Sequence, residues 1–360
     1  MVNAKIIHRE PVLGSSFFQA KNNSGFFPLF DKNTFLFGFA RAALHEGLKI
    51  MGIKEGENIL VPSYVCNVVV APMYRLNIKV RFYEVDSNLV PLWKDLEDKI
   101  DFKTKAMLIV NYFGFPNDLA TARSLCDKHG LYLIEDNAHS FLGSDNGKPL
   151  GSTGDISLFS FRKIVPIPNG AALVVNNQLL ADKSSNPGYL KRNNRDLRFI
   201  VKSLLAALKE GLQAFNRQPL KETDFEALRI KYLGEEDNVE KYFVKLSKTS
   251  YFLLRHFNLD RIREERRKTY SLWLEYFSRA KISGIKVVFP YLKDGAIPSS
   301  FPVLAANQKE FISKMWRNRI ECFPWPYLPR DSREEYFSKH LVCLPVFPCF
   351  KPADYIGMQE

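Results

Sequence analysis

Two apolar runs in this chain end in residues that can do chemistry. Leu131 to Ile134 is followed at once by Glu135 and Asp136, with His139 three positions further on. The segment Asp155 to Lys163 (DISLFSFRK) is again an apolar run, ending in Ser160, Arg162 and Lys163. In parallel α/β sheets, ligands bind outside the carboxyl ends of strands. A carboxylate and a lysine at two such ends are what a pyridoxal phosphate (PLP) site requires: the lysine forms a Schiff base and the acid partners the pyridinium nitrogen. Each residue also has an ordinary explanation. Asp136 could be a helix N-cap, His139 a buried histidine, and Lys163 an exposed lysine at a strand end. A free lysine titrates near ~10.4 and is a poor nucleophile at neutral pH. A neighbouring cation such as Arg162 favours its neutral form.

The surrounding pattern predicts elements able to place these residues together. Phe35 to Met51 has apolar residues at helical spacing. Glu57 to Val61, Lys79 to Tyr83, Lys105 to Val110, Leu131 to Ile134, Ile156 to Phe161 and Ala171 to Val175 read as strands. Val65 to Arg75 and Asp118 to His129 read as helices, the second stopped by Gly130. Strands separated by helices imply βαβ crossovers. The expected fold is α/β, a mostly parallel sheet flanked by helices, with a smaller α+β C-terminal domain. The large domain is placed at 1–245 and the smaller one at 246–360. The pattern weakens after Asn177, and 177–245 is divergent, helical and basic. Phe199 to Phe215 reads there as an amphipathic helix, read as packed on protein in preference to lying on a membrane surface. In the C-terminal part, Ile285 to Phe289 and Phe301 to Leu304 read as strands, and Gln308 to Trp316 as a helix.

Composition excludes several classes. The 360 residues include 29 Phe and 15 Tyr, so a large core can form and disorder is not expected. No apolar run is long enough to span a membrane, and the N-terminal segment lacks a secretory apolar core. The five cysteines, Cys66, Cys126, Cys322, Cys343 and Cys349, form no CxxC pair. Neither a disulfide framework nor a zinc site is expected, and a cytoplasmic location fits. The formal net charge is +12, and Lys191 to Lys221 contributes eight basic residues against Asp196 and Glu210. No nucleic-acid-binding signature accompanies this charge. It reads as solvated surface, with anionic substrates as the functional alternative.

Several ordered blocks resemble one family. ARAALHEGLKIMGIKEGENILVPSYV (Ala40 to Val65), VRFYEVD (Val80 to Asp86), IVNYFGFPNDLATARSLCDKHGLYLIEDNAHS (Ile109 to Ser140), GKPLGSTGDISLFSFRK (Gly147 to Lys163) and LVCLPVFPCFKPADY (Leu341 to Tyr355) are similar to blocks of the DegT/DnrJ/EryC1/StrS sugar aminotransferases. The resemblance implies the aspartate aminotransferase type of fold, PLP as cofactor and a homodimer. It also implies amino transfer from an amino acid, with glutamate as the expected donor, to a nucleotide-linked keto sugar in polysaccharide or glycoconjugate biosynthesis. Lys163 takes the place of the Schiff-base lysine and Asp136 that of the pyridinium partner. His139 corresponds to the Gln or His near the cofactor's phenolic oxygen, and Ser160 to a phosphate-binding serine. Ala40 and Arg41 stand where the family has a small residue and Thr at its phosphate cradle; Arg41 could pair with phosphate directly or be a surface arginine. Two further departures stand out. Cys66 occupies a position where many members place a ring that stacks on the cofactor. The interval from Ser160-Phe161 to Lys163 is two residues short. These departures motivate a second reading, a catalytically inactive homologue acting as a binding or regulatory subunit.

Overall fold

The computed structural model describes residues 31–185 and 239–326 without interruption, together with 7–8, 11, 23, 25–29, 187–188, 190–191, 196, 199, 201, 328–329 and 331–356. The helix expected at Phe199 to Phe215, except for Phe199 and Val201, and most of the basic stretch Lys191 to Lys221 lie outside the described residues.

A seven-stranded sheet carries the site. Its strands are β1 (Thr34–Phe37), β2 (Asn58–Pro62), β3 (Lys79–Tyr83), β4 (Thr104–Val110), β5 (Tyr132–Asn137), β8 (Ile156–Ser160) and β9 (Ala171–Val175); a short hairpin of β6 (Ser144–Asp145) and β7 (Lys148–Pro149) lies between β5 and β8 in the chain. The order across the sheet is β1-β9-β8-β5-β4-β2-β3. Every pairing from β3 through β8 is parallel, whereas β9 pairs antiparallel with both β8 and β1. Strands β2, β8 and β9 are buried along their whole length, as expected when helices cover both faces of a sheet. Helices α1 (Ala40–Ile50), α2 (Asn67–Arg75), α3 (Trp93–Asp98) and α4 (Leu119–His129) supply much of that cover. Asp118 caps α4 by accepting from the Thr121 N–H, and Gly130 closes it in the left-handed conformation.

One predicted element is corrected. Phe35 to Met51 is not a single helix: β1 ends at Phe37, and α1 begins only at Ala40. Alternation and helical spacing coincide over so short an apolar stretch. The break falls at Gly38, where a Cβ would lie 2.6 Å from the Val244 side chain. The close approach of these segments requires glycine there.

The C-terminal part adds a four-stranded antiparallel sheet of β10 (Ile285–Val287), β11 (Phe301–Ala305), β12 (Phe323–Pro324) and β13 (Leu341–Leu344), in the order β10-β11-β13-β12. A long helix, Leu259–Ala280, precedes it and buries Trp273, Tyr270 and Arg266. The fold is therefore α/β with a mostly parallel main sheet and a smaller antiparallel sheet. No helix among the described residues is long and apolar enough to cross a membrane.

Candidate active site

One cavity brings the predicted residues together. Ala40, Arg41, Asp136, His139, Ser160 and Lys163 all line it. It opens at the carboxyl ends of β5 and β8, which are parallel neighbours with Asp136 in register with Leu158. Asp136 lies inside β5, so the strand runs further than its apolar residues suggest. Ser160 is the last residue of β8, and Lys163 sits in the tight turn Phe161–Lys163 that follows. The short interval before the lysine is thus taken up by a single 3₁₀ turn, closed by the Ile164 N–H bonding to the Phe161 carbonyl at 2.9 Å.

Lys163 Nζ lies 2.8 Å from His139 Nε2. On the other side of the ring, the Phe113 N–H donates to Nδ1 at 3.3 Å. Burial and the nearby lysine hold His139 well below the ordinary imidazole range, so the ring is neutral. A neutral ring that accepts at Nδ1 carries its proton on Nε2. Nε2–H is therefore a donor aimed at Lys163, whose lone pair can accept it only when the amine is neutral. Burial lowers Lys163, chiefly by desolvation; Arg162 acts in the same direction, while Cys66, Asp136 and Cys343 oppose it. The desolvation of the amine, more than the neighbouring arginine, favours the free base. Burial raises the Asp136 carboxyl, opposed by the Ala138 N–H, which donates at 2.8 Å, and by Lys163.

Two helix N-termini border the cavity. Neither α1, entered from Phe39, nor α2, entered from Cys66, has a side-chain cap. Phe39 to Arg41 and the segment Val65 to Val69 contribute to the lining, with Val68 and Val69 from the first turn of α2. The backbone N–H groups and dipole at a helix start favour an anion. The cationic side chains Arg41 and Arg162 line the cavity with Asp136, the only carboxylate in the lining among the described residues. Arg41 is held by stacking, its guanidinium carbon 3.7 Å from the centre of the Tyr242 ring. Burial raises the Cys66 thiol, which keeps it protonated.

Some contributors carry no signal in the sequence. Trp325 lines the cavity with Cys66 and meets the His139 ring edge-on, with centroids 4.8 Å apart. It supplies an aromatic wall from a segment far along the chain. Phe113 acts through its main chain, in a turn with φ 55° at Phe113 and φ 93° at Gly114. A Cβ on Gly114 would fall 2.0 Å from the Ile297 carbonyl oxygen, so only glycine lets that turn approach. Tyr242 and Phe113 are unremarkable by type and spacing; only the three-dimensional arrangement brings them to the site. Among the described residues, no cluster of His, Cys, Asp and Glu is arranged to hold a metal ion.

Comparison with known proteins finds one matching family and a shared fold. The DegT/DnrJ/EryC1/StrS aminotransferase family model matches residues 37–197. That span holds all six of the predicted site residues. GDP-perosamine synthase of Vibrio cholerae is 35% identical over 144 residues, 39% of this chain and 39% of that protein. The GDP-perosamine synthase of Escherichia coli O157:H7 is 33% identical over 147 residues, 39% of this chain and 40% of that protein. The chain thus aligns with about two fifths of the length of these curated relatives. The fold likeness extends much further. The aminotransferase TlmJ from Streptoalloteichus hindustanus superposes with a TM-score of 0.65 over 99% of this chain and 97% of its own, at 16% identity. PseC of Helicobacter pylori, an aminotransferase involved in pseudoaminic acid biosynthesis, does so at 0.63 over 95% and 93%, at 18% identity. The C-terminal sheet therefore belongs to the same overall fold, although the match to the family model stops at residue 197.

Proposed function

We propose that the protein is a PLP-dependent aminotransferase that moves an amino group from an amino acid, glutamate as the expected donor, to a nucleotide-linked keto sugar. The observation that carries this reading is the Lys163–His139 contact in a cavity that also holds Asp136 at the neighbouring strand end. The residues fit the cofactor. Asp136 would face the pyridinium nitrogen, His139 Nε2–H would donate to the phenolic oxygen, and Arg41, Ser160 and the uncapped start of α1 would hold the phosphate. When bound, PLP supplies the electron sink for amino transfer. Lys163, desolvated and available as the free amine, is the nucleophile and carries the proton between carbon atoms. Asp136 supplies the negative charge that keeps a facing ring nitrogen protonated. Trp325 and the apolar wall of Val65, Val69 and Leu158 exclude water, which strengthens each of these electrostatic contacts.

The sugar substrate rests on other support. Both curated relatives are named for making GDP-perosamine, and the excess of cationic groups around the cavity suits a phosphorylated ligand. Function as a homodimer in the cytoplasm completes the proposal. To test it, purified protein is incubated with PLP, reduced with borohydride and digested for mass spectrometry. The expected result is a visible absorption band lost on reduction and a reduced adduct on Lys163. Glutamate added before reduction should shift the band to shorter wavelength and prevent the adduct. A Lys163→Ala protein that keeps the band and is still modified by reduction overturns the lysine assignment. A wild-type adduct that no amino donor alters would instead favour the inactive homologue.

A further inference from the structure

Arg266 is nearly fully buried, with 1% of its surface exposed, in the long helix Leu259–Ala280. Buried arginines are normally paired with a carboxylate. Here, among the described residues, every hydrogen bond of the guanidinium goes to a main-chain carbonyl. Nε and Nη2 donate to the Ile164 carbonyl at 3.1 and 2.6 Å, and Nη2 reaches the Lys163 carbonyl at 3.4 Å. Nη1 donates to the carbonyls of Pro298 and Ser299 at 2.9 and 3.3 Å. The guanidinium also lies over the Phe347 ring at 5.0 Å. The Lys163 and Ile164 carbonyls need such a partner. The turn that carries Lys163 is too short to continue as a helix, so its last carbonyls find no N–H donors within it.

The contacts then close on themselves. The Ser299 N–H donates to the Phe113 carbonyl at 2.9 Å. The Phe113 N–H donates to His139 Nδ1, and His139 Nε2 meets Lys163 Nζ. A single circuit therefore runs from the main chain of Lys163 through Arg266, the 298–299 segment, Phe113 and His139 to the lysine's own amine. We propose that Arg266 is a positioning residue for Lys163: it fixes the lysine's main chain and, through Ser299 and Phe113, the orientation and tautomer of the histidine that meets its amine. Arginine suits the role because its planar fork presents five donors to carbonyls on two sides at once, which a lysine ammonium cannot do. The arrangement also ties the segment leading into β11 to the reactive end of the main sheet. A change in that segment is then felt at Lys163.

The inference rests on the reading of Lys163 as the reactive lysine, and its test is chosen to be independent of that reading. Full-length wild-type, Arg266→Met and Arg266→Lys proteins, without added PLP, are labelled with trace acetic anhydride across a pH series. Incorporation at Lys163 is read by mass spectrometry, with folding checked by circular dichroism and gel filtration. In the methionine variant the Lys163 and Ile164 carbonyls lose their donors, the turn loosens and the amine is less fully desolvated, which raises the pH at which Lys163 becomes reactive. The expected result is a drop of about tenfold in Lys163 labelling at neutral pH, as for a midpoint displaced upward by about one on the pH scale. Other lysines keep their wild-type profiles. The lysine variant should move in the same direction by about threefold, since it keeps a donor for the carbonyls but loses the fork. A folded methionine variant with the wild-type Lys163 profile overturns the proposal. If that variant does not fold, the lysine variant decides, and a wild-type profile there overturns it. A failed PLP adduct in the wild-type protein would sink the aminotransferase reading and leave this result standing.

Discussion

Glu135 and Asp136 are neighbours in sequence and both are buried, yet they serve different regions of the molecule. The pleat of β5 sends successive side chains to opposite faces. Glu135 enters a cradle of main-chain donors: its oxygens accept from the N–H groups of Gly151 at 2.6 Å, Thr153 at 3.2 Å and Gly154 at 3.1 Å, and from Asn111 Nδ2 at 3.2 Å. It organises the loop between β7 and β8 and the turn after β4. Asp136 faces the cavity, and the one described hydrogen bond of its carboxylate comes from the Ala138 N–H. The saturated carboxylate holds the frame, whereas the under-satisfied one, raised by burial, is available to a ligand. Burial alone does not mark a functional acid; the number of its donors does.

The comparison breaks first under Asp136→Asn. This change keeps shape and removes charge, so we expect amino transfer to fall by about 10²- to 10³-fold, the range for losing one preorganised electrostatic contact, with no loss of stability. Because burial raises Asp136 above its unfolded-state pKa, its ionised form costs stability at neutral pH. That cost is absent below about 3.9, the ordinary Asp value, and complete above the folded-state pKa. The variant should therefore melt at or slightly above the wild-type temperature at neutral pH, with any gain vanishing as the pH falls through that window. Glu135→Ala should behave in the opposite way. It strands the N–H donors of the loop cradle, and urea unfolding should report a loss of about 3 kcal/mol. If Asp136→Asn unfolds the protein, or Glu135→Ala leaves its stability intact, the division of labour is wrong.

The sequence made part of this legible. Asp136, His139 and Lys163 could be found because apolar runs stop at polar residues on strand ends, and the βαβ rhythm says where those ends gather. Choosing Asp136 over Glu135 required strand parity relative to the cavity; that assignment came from the family resemblance, and the pleat supplies its physical reason. Arg266 was invisible for a different cause. It lies in the charge-dense stretch Arg261 to Lys268, where it looks like any solvated arginine, and its partners are carbonyls, which carry no side-chain signature. Its nearest partner on the main-sheet side, Ile164, is 102 residues away. Trp325 and Tyr242 escaped for the same reason, since nothing local to either marks the cavity that each helps to build. The helix read across Phe35 to Met51 failed because a four-residue strand offers too few apolar positions to separate one period from the other.

The smallest effect gives the sharpest comparison, because it reads charge without changing the fold. A carbonyl probe captured by Lys163 reports the fraction of free amine, so capture should rise with pH. Burial lowers the amine, so the rise should level off below the ~10.4 of an ordinary lysine. Asp136 opposes that lowering by stabilising the ammonium form. Removing its charge in Asp136→Asn should move the midpoint to still lower pH, and capture at neutral pH should increase by about two- to threefold even though amino transfer falls. Glu135 is not among the charges that act on Lys163. Its oxygens are turned into the loop cradle on the other side of β5, so Glu135→Gln should leave the midpoint where it is. Equal shifts in the two variants would mean that the strand does not insulate its two faces, and that Lys163 responds to the total charge of β5. A shift in Asp136→Asn alone would locate the electrostatics of the lysine on one face of one strand.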